Sequence, residues 1–305
     1  MNMQQHLSSK SIAAGGAFLA YLAQLQAGEV GPMAVYDPPA PISDCDACNV
    51  PGWYGGVSLL YLKPYLGGDG GEGVDGDWDL GARGTLGFER PDGLFYELNG
   101  FWYESEFDFD NRRDNRFAYD NELSTYYIEG LIGDNLHCGE ACLDLAFGIR
   151  YASLELDESE RRVNFDGAEG QTVRVAGNET WEFDGIGPVV RLDGTRQLNE
   201  QVTLYAGLSQ AILFGEQKFS GSSTNRLISS GNPGSPTGPA MTSGGSSKSD
   251  TVAFVTELEG GVMFNLNMGA LQDAHVKLGI EGQYWSVGGS DLGLFGGVLG
   301  VGFSF

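Results

Sequence analysis

The chain has 305 residues, in which 41 acidic side chains outnumber 17 basic ones and give a formal net charge of −24. This excess of acid argues against nucleic acid as a partner, because binding to a phosphate backbone depends on basic side chains that release counter-ions. Glycine supplies 48 residues, about twice the usual share of ~7%. Since each glycine costs a helix interior about 1 kcal/mol relative to alanine, the composition also argues against a mainly helical protein.

Residues 1–27 have the layout of a secretory signal peptide. A polar segment that contains Lys10 precedes an apolar run from Ile12 to Ala23, and this run is too short to cross a bilayer as a helix. Ala27 is the expected cleavage site, with Leu25 at the −3 position. We therefore predict an exported chain that continues with a Pro-rich periplasmic segment, residues 28–52.

From residue 53 onwards, apolar and polar residues alternate over long segments. Side chains switch faces at each residue of a strand. In the segment 142–156 the apolar row comprises Leu143, Leu145, Phe147, Ile149 and Tyr151. Such segments exceed the ~5–6 residues of an average strand and suit tilted strands, which need about 9–11 residues to cross a membrane.

Ten such segments are predicted, and the lengths of their connections fall into two sets. Long connections are expected at 67–77, 108–120, 157–179 and 217–249, the last being rich in Gly, Ser and Pro. The alternate connections are short. The ninth connection is the one exception, because it is short although its place in the alternation belongs to the long set. Short turns at one rim and long loops at the other are typical of outer-membrane barrels. The sequence predicts an all-β, antiparallel, up-and-down transmembrane barrel of about ten strands over 53–305, with both termini periplasmic and the long loops extracellular; a hairpin within 157–179 would make twelve strands.

The last residues resemble an outer-membrane assembly signal. Gly300, Phe303 and the terminal Phe305 end an apolar strand, whose exposed edge the barrel-assembly machinery could capture by strand addition. Several aromatic residues fall on the apolar strand faces, where rings favour the lipid headgroup level. These are Tyr96, Trp102, Tyr126, Tyr151, Tyr284 and Phe303.

Three segments resemble the Legionella-type pore-forming major outer membrane proteins. The run Trp53-Tyr54-Gly55-Gly56 through Leu59-Leu60-Tyr61-Leu62-Lys63-Pro64 looks like their opening strand. The run Phe183-Asp184-Gly185-Ile186-Gly187-Pro188, continuing to Arg191-Leu192-Asp193-Gly194, is similar to a central strand, and Phe305 ends the chain as in that family. The resemblance implies an integral outer-membrane pore and not an enzyme.

Catalytic and metal-binding patterns are weak. The histidines are His6, His137 and His275, and they form no recognisable triad or zinc motif, nor does a G-x-S-x-G occur. We predict no enzyme activity, no cofactor and no metal. The cysteines Cys45, Cys48, Cys138 and Cys142 have paired spacing that also suits zinc, but export favours two disulfides. Three connectivities stay open.

Charged residues at the inward-facing positions of the strands are the candidate pore lining. They comprise eight acids and four bases: Glu89, Glu97, Glu129, Asp144, Asp193, Glu257, Glu259, Glu281, Arg83, Arg150, Arg191 and Lys277. Because acidic rings favour cations, we predict a narrow, cation-preferring diffusion pore. The alternative is a structural or adhesive barrel, sealed by pairing of these acids and bases, whose acidic loops bind partners. Expected partners are outer-membrane lipid and lipopolysaccharide, the assembly machinery and small ions or solutes, and an oligomer is possible.

Overall fold

The computed structural model describes residues 51–67, 74–107, 117–137, 141–162, 172–227, 239–268 and 271–304. The predicted signal peptide, the periplasmic segment up to residue 50, and Phe305 lie outside the described residues. In the described part every regular element is a strand, and no helix there is long and apolar enough to span a membrane.

The described residues form ten long strands and one of two residues. In chain order they are β1 (Gly52–Gly67), β2 (Val74–Asp75), β3 (Asp79–Glu89), β4 (Phe95–Phe107), β5 (Phe117–His137), β6 (Ala141–Arg162), β7 (Thr172–Asn199), β8 (Val202–Leu227), β9 (Ala240–Met268), β10 (Leu271–Val287) and β11 (Ser290–Ser304). Every neighbouring pair is antiparallel, and β2 only adds a short pairing to β1.

The sheet closes on itself, because β11 pairs with β1 from Tyr54↔Ser304 to Gly67↔Asp291. This closure confirms the predicted ten-stranded antiparallel barrel. The rim where β1 begins and β11 ends carries short turns, and we call it the near rim; the opposite rim is the far rim. Closure leaves no sheet edge within the barrel wall, which is what a lipid environment requires of strands.

Outward-facing side chains form an apolar band around the barrel. On β5, Tyr126, Ile128 and Ile132 are 42–50% exposed, while Tyr127 and Glu129 between them are buried. The six aromatic residues predicted for this surface all lie on it, and Trp102 and Tyr126 are register partners near its far edge. Such a band with aromatic girdles is the lipid-facing surface of a membrane barrel.

The strands extend further than the sequence indicated, so the prediction of a loop is wrong over much of 157–179 and of 217–249. Most of 157–179 belongs to β6 and β7, and much of 217–249 belongs to β8 and β9. The sequence pattern was misleading because these extensions, which are mainly charged at 157–162 and rich in Ser and Gly at 240–250, show no apolar alternation. The described residues of 157–179 continue two existing strands, so the twelve-strand alternative is also wrong.

Two features lie at the far rim. The distal arm is formed by residues 217–227 of β8 and 240–250 of β9, which pair beyond the end of β10. The acidic ridge lies on the outward face of β4–β7, just beyond the apolar band. Its members are Glu104, Glu106, Glu122, Glu155, Asp157 and Glu182.

Candidate functional site in the barrel lumen

On several strands the inward-facing residues change from charged or polar near one rim to apolar towards the other. From the near rim, β4 presents Glu97 and Asn99 and then Phe101 and Tyr103, and β10 presents Lys277 and Glu281 before Trp285. Alternation of side chains fixes the face, and the order along the strand fixes the height. The lumen therefore contains a charged layer towards the near rim and an apolar layer towards the far rim.

All twelve predicted lining residues border one cavity in the charged layer, with a volume of about 420 Å³. The cavity reaches the near rim, where Gly93 of the β3–β4 turn, Thr195 and His275 line it. The predicted residues thus share one space.

Arg83 of β3 crosses the lumen to strands on the other side of β1 and β11. Its Nη2 and Nη1 donate to the two carboxylate oxygens of Glu281 at 2.6 and 2.9 Å. The same guanidinium contacts Glu259 at 2.9 Å and Glu257 at 3.4 Å. Bidentate pairing of this kind is among the strongest charge-assisted hydrogen bonds. The contact ties β3 to β9 and β10 across the barrel.

Glu257 of β9 is the hub of the charged layer. Besides Arg83, it accepts hydrogen bonds from the Tyr127 hydroxyl at 3.0 Å and from the guanidinium of Arg150. Arg150 is fully buried and also donates its Nε to Glu129 at 2.8 Å. The Arg150 guanidinium lies 3.9 Å from the centre of the Tyr127 ring, a cation–π contact. The Glu257 carboxylate therefore pairs with the guanidinium groups of two arginines.

A second group lies around Glu97. Arg191 donates to Glu97 at 2.6 Å and contacts Asp193 at 2.6 Å. Glu97 also accepts from Tyr54 at 2.8 Å and from Asn99 at 2.6 Å. Across the cavity, Lys277 pairs with Glu259.

All four predicted bases contact carboxylates, and their partners include six of the predicted acids. These acids are Glu97, Glu129, Asp193, Glu257, Glu259 and Glu281. The cross-lumen pairing anticipated by the sealed-barrel alternative is therefore present. With eight acids to four bases, negative charge stays in excess.

The apolar layer occupies the lumen between the cavity and the far rim. Its largest members are 0–1% exposed: Leu60, Leu62, Tyr103, Leu123, Phe183, Leu213, Trp285 and Leu294. The Tyr103 hydroxyl donates to the Leu62 carbonyl at 3.2 Å, and the Trp285 indole donates to Gln283 at 3.1 Å. Close packing of this kind is typical of a small barrel whose interior is filled by side chains.

The sequence analysis did not identify the neutral members of the charged layer or the role of its glycines. Tyr127 and Asn99 share the inward face with the predicted acids, so the same alternation could have identified them. Gly148, Gly261 and Gly279 also lie on the inward face. A methyl group on any of them would overlap a neighbouring strand's backbone, so these glycines allow strands to approach closely.

The other predicted sites are only partly described. Cys142 is disulfide-bonded, whereas Cys45, Cys48 and Cys138 lie outside the described residues, so the connectivity stays a prediction. Gly300 and Phe303 lie on β11, with Phe303 facing outwards, and their role in assembly also stays a prediction. His275 lines the cavity.

A second cavity, of about 560 Å³, lies at the far rim beside the acidic ridge. Its lining includes the carboxylates of Glu106, Asp120, Glu122, Asp157 and Glu179. Among the residues that the structure describes, no group of three or more His, Cys, Asp and Glu side chains has the geometry to hold a metal ion.

A match to a family model shows which protein family the chain belongs to. The model of the Legionella pneumophila major outer membrane protein precursor matches residues 46–287. The chain belongs to this family. It is therefore an integral outer-membrane β-barrel protein, in agreement with the closed barrel and its apolar outer band. No curated protein sequence matches the chain significantly.

Solved structures add distant similarities. The outer membrane protease OmpT from Escherichia coli is 10% identical with a TM-score of 0.49, covering 83% of this chain and 97% of its own. A major outer membrane protein from Thermus thermophilus is 12% identical with a TM-score of 0.35, covering 83% and 99%. OprG from Pseudomonas aeruginosa is 11% identical with a TM-score of 0.33, covering 84% and 96%. All these TM-scores lie below 0.5, so they say nothing about what this chain binds or does.

Proposed function

We propose that the protein is a narrow outer-membrane pore for small ions, that it prefers cations, and that its near rim faces the periplasm. One observation carries this proposal: a charged cavity occupies the lumen and reaches the near rim. Field lines concentrate in such a confined space, so an excess of eight acids over four bases enriches cations there. Family membership supports the outer-membrane setting.

The two lumen layers set the expected conductance. Arg83 and Arg150 reach across the lumen to carboxylates of β10 and β9, and the apolar layer lies beyond them. An ion crosses only when side chains in both layers move aside. We therefore expect brief, small current steps, unlike the steady current of 16–18-stranded porins with open channels.

The second candidate function is a structural barrel with a permanently filled lumen. The observation in its favour is the apolar layer itself, in which Leu62, Phe183, Leu213 and Trp285 are all fully buried. Such a barrel would act through its far rim, where the acidic ridge and the distal arm provide the contact surface. Neither candidate requires catalysis, and we propose that the protein is not an enzyme.

Planar-bilayer recording with a widened apolar layer separates the two candidates. The variant Leu62→Ala/Leu213→Ala removes two fully buried side chains from the lumen, so a pore limited by this layer should pass a several-fold larger current. The matched control is Leu86→Ala, which trims a leucine on the outward face that is 49% exposed, and it should leave the current unchanged. Folding of each variant is checked by heat-dependent mobility on a gel. Absence of current from both folded proteins, wild type and widened variant, would favour the structural barrel.

A further inference from the structure

The distal arm has a strand edge that no described residue covers. The last residue of β10, Val287, pairs with Ala253 of β9. Beyond that point β9 continues back to Ala240, and its residues 240–250 pair only with β8 among the described residues. All of these residues are exposed. Eleven residues at ~3.4 Å each give an edge roughly 35 Å long, with backbone N–H and C=O groups available along it.

This edge lacks most of the devices that prevent strand pairing. Proteins usually protect exposed edges with proline, charged side chains or bulges. The segment 240–250 has no proline, and its one lysine, Lys248, is paired with Glu216 at 2.9 Å. The β8–β9 register continues without a shift from Arg226↔Ala240 to Val202↔Phe264. Long, regular edges that carry few charges are templates for another strand.

We propose that this edge pairs with the same edge of a second copy of the chain, antiparallel and centred on Gly245. In that register Ser243 of one copy lies opposite Ser247 of the other, and Thr242 lies opposite Lys248. The remaining pairs join neutral residues, apart from Asp250 opposite Ala240, so no like charges face each other. Within the arm, Ser223–Ser243 and Thr224–Thr242 already form hydroxyl pairs across strands at 3.2 Å. Pairs of this type stabilise antiparallel sheets.

The orientation of the copies follows from the barrel axis. Two barrels in one membrane point the same way, so their β9 strands would be parallel. The two-fold axis that relates them would then run along the strands, and such an axis cannot place two identical strands in hydrogen-bonding register. Antiparallel pairing needs copies that face each other, as in two apposed membranes or free in detergent. Pairing of the two arms does not depend on whether the lumen conducts ions.

A charge exchange at one predicted pair tests the proposal. In the variant Ser243→Lys/Ser247→Lys, lysines of the two copies face each other across the predicted interface, and in Ser243→Glu/Ser247→Glu the facing residues are glutamates. The full-length protein in detergent is measured by light scattering coupled to size exclusion. We expect wild type to dimerise, each variant alone to dimerise at least tenfold more weakly, and an equimolar mixture of the two to recover the dimer. The control Ser220→Lys/Ser222→Lys adds the same charge on β8, away from the edge, and should dimerise as wild type does.

A second readout uses vesicles that carry the protein. Wild-type vesicles should cluster, and vesicles with the lysine variant should not. A wild type that stays monomeric and does not cluster vesicles would overturn the proposal, and the edge would then be open to a strand of a different protein. Dimers that survive the lysines, or are not recovered in the mixture, would also overturn it, since they would use another surface.

Discussion

Arg150 and Glu129 are register partners on neighbouring strands, and their side chains form a buried ion pair inside the lumen. The Arg150 Nε lies 2.8 Å from Glu129 Oε2, and both residues are at most 3% exposed. Arg150 also pairs with Glu257, so one guanidinium is shared by two buried carboxylates. Removing one partner of such a group leaves an uncompensated buried charge.

We predict that Arg150→Met lowers the free energy of unfolding by about 3–5 kcal/mol, because Glu129 and Glu257 then lose their shared cation. Denaturant unfolding of the protein in lipid vesicles, followed by tryptophan fluorescence, measures this loss. The control Arg90→Met breaks an exposed pair with Asp92 and should cost less than about 1 kcal/mol. Adding Glu129→Gln and Glu257→Gln should recover most of the lost free energy of unfolding. A cost for Arg150→Met no greater than the control's would show that this pairing does not hold the lumen together.

Close approach of strands predicts a sharp contrast between two glycines. A methyl group on Gly296 of β11 would overlap the Tyr61 carbonyl of β1, whereas one on Gly84 of β3 would meet no atom within 4 Å. We predict that Gly296→Ala lowers the unfolding free energy by about 1–3 kcal/mol through overpacking. Gly84→Ala should change it by less than about 0.5 kcal/mol. Equal effects in the same vesicle assay would contradict the close packing of β1 against β11.

The acidic ridge predicts that the far rim becomes more stable as the pH falls. Desolvation, and then the carboxylates of Glu104, Asp157 and Glu106, raise the pKa of Glu122 above its usual 4.5. Desolvation, with Asp157 and Glu182 next, does the same to the pKa of Glu155. When the folded pKa of an acid is raised, the folded state binds more protons than the unfolded state between the two pKa values, so stability is lost as the pH rises through the folded pKa.

Hydrogen exchange measures this effect locally. After correction for the intrinsic rate, amides of 117–124 and 153–160 should exchange roughly two- to fivefold more slowly near pH 4.5 than at neutral pH, the range expected for like-charge pairs across strands. Glu122→Gln/Glu155→Gln should flatten this dependence. Faster exchange in acid, or no difference from the variant, would contradict a strained ridge.

The alternation of residues was enough to predict which face each barrel residue occupies. Glu257 and Tyr284 lie inside and outside as expected, because a strand's period of two is fixed by its backbone. The pairing of Arg83 with Glu281 could not be predicted in the same way. These residues are 198 positions apart, and their meeting depends on the stagger and tilt of ten strands, which parity leaves undetermined.

The strands of the distal arm could not be predicted from the sequence either. Ser243 and Ser247 have no apolar neighbours in alternation, and a Gly/Ser-rich stretch reads as a loop on composition alone. Its strand structure comes from continued pairing with β8 beyond the barrel, a tertiary effect that outweighs weak local preference.

The zero-current potential of the wild-type protein, in a planar bilayer that separates two KCl concentrations, shows directly whether the lumen is a cation-preferring pore. We predict small single-channel steps, with a potential whose sign shows preference for potassium over chloride, because eight carboxylates and four bases border the cavity. Asp144→Asn/Asp193→Asn removes two of these acids and should reduce the preference. A potential of the chloride-selective sign, or no current above background from well-folded protein, would contradict a cation-preferring pore.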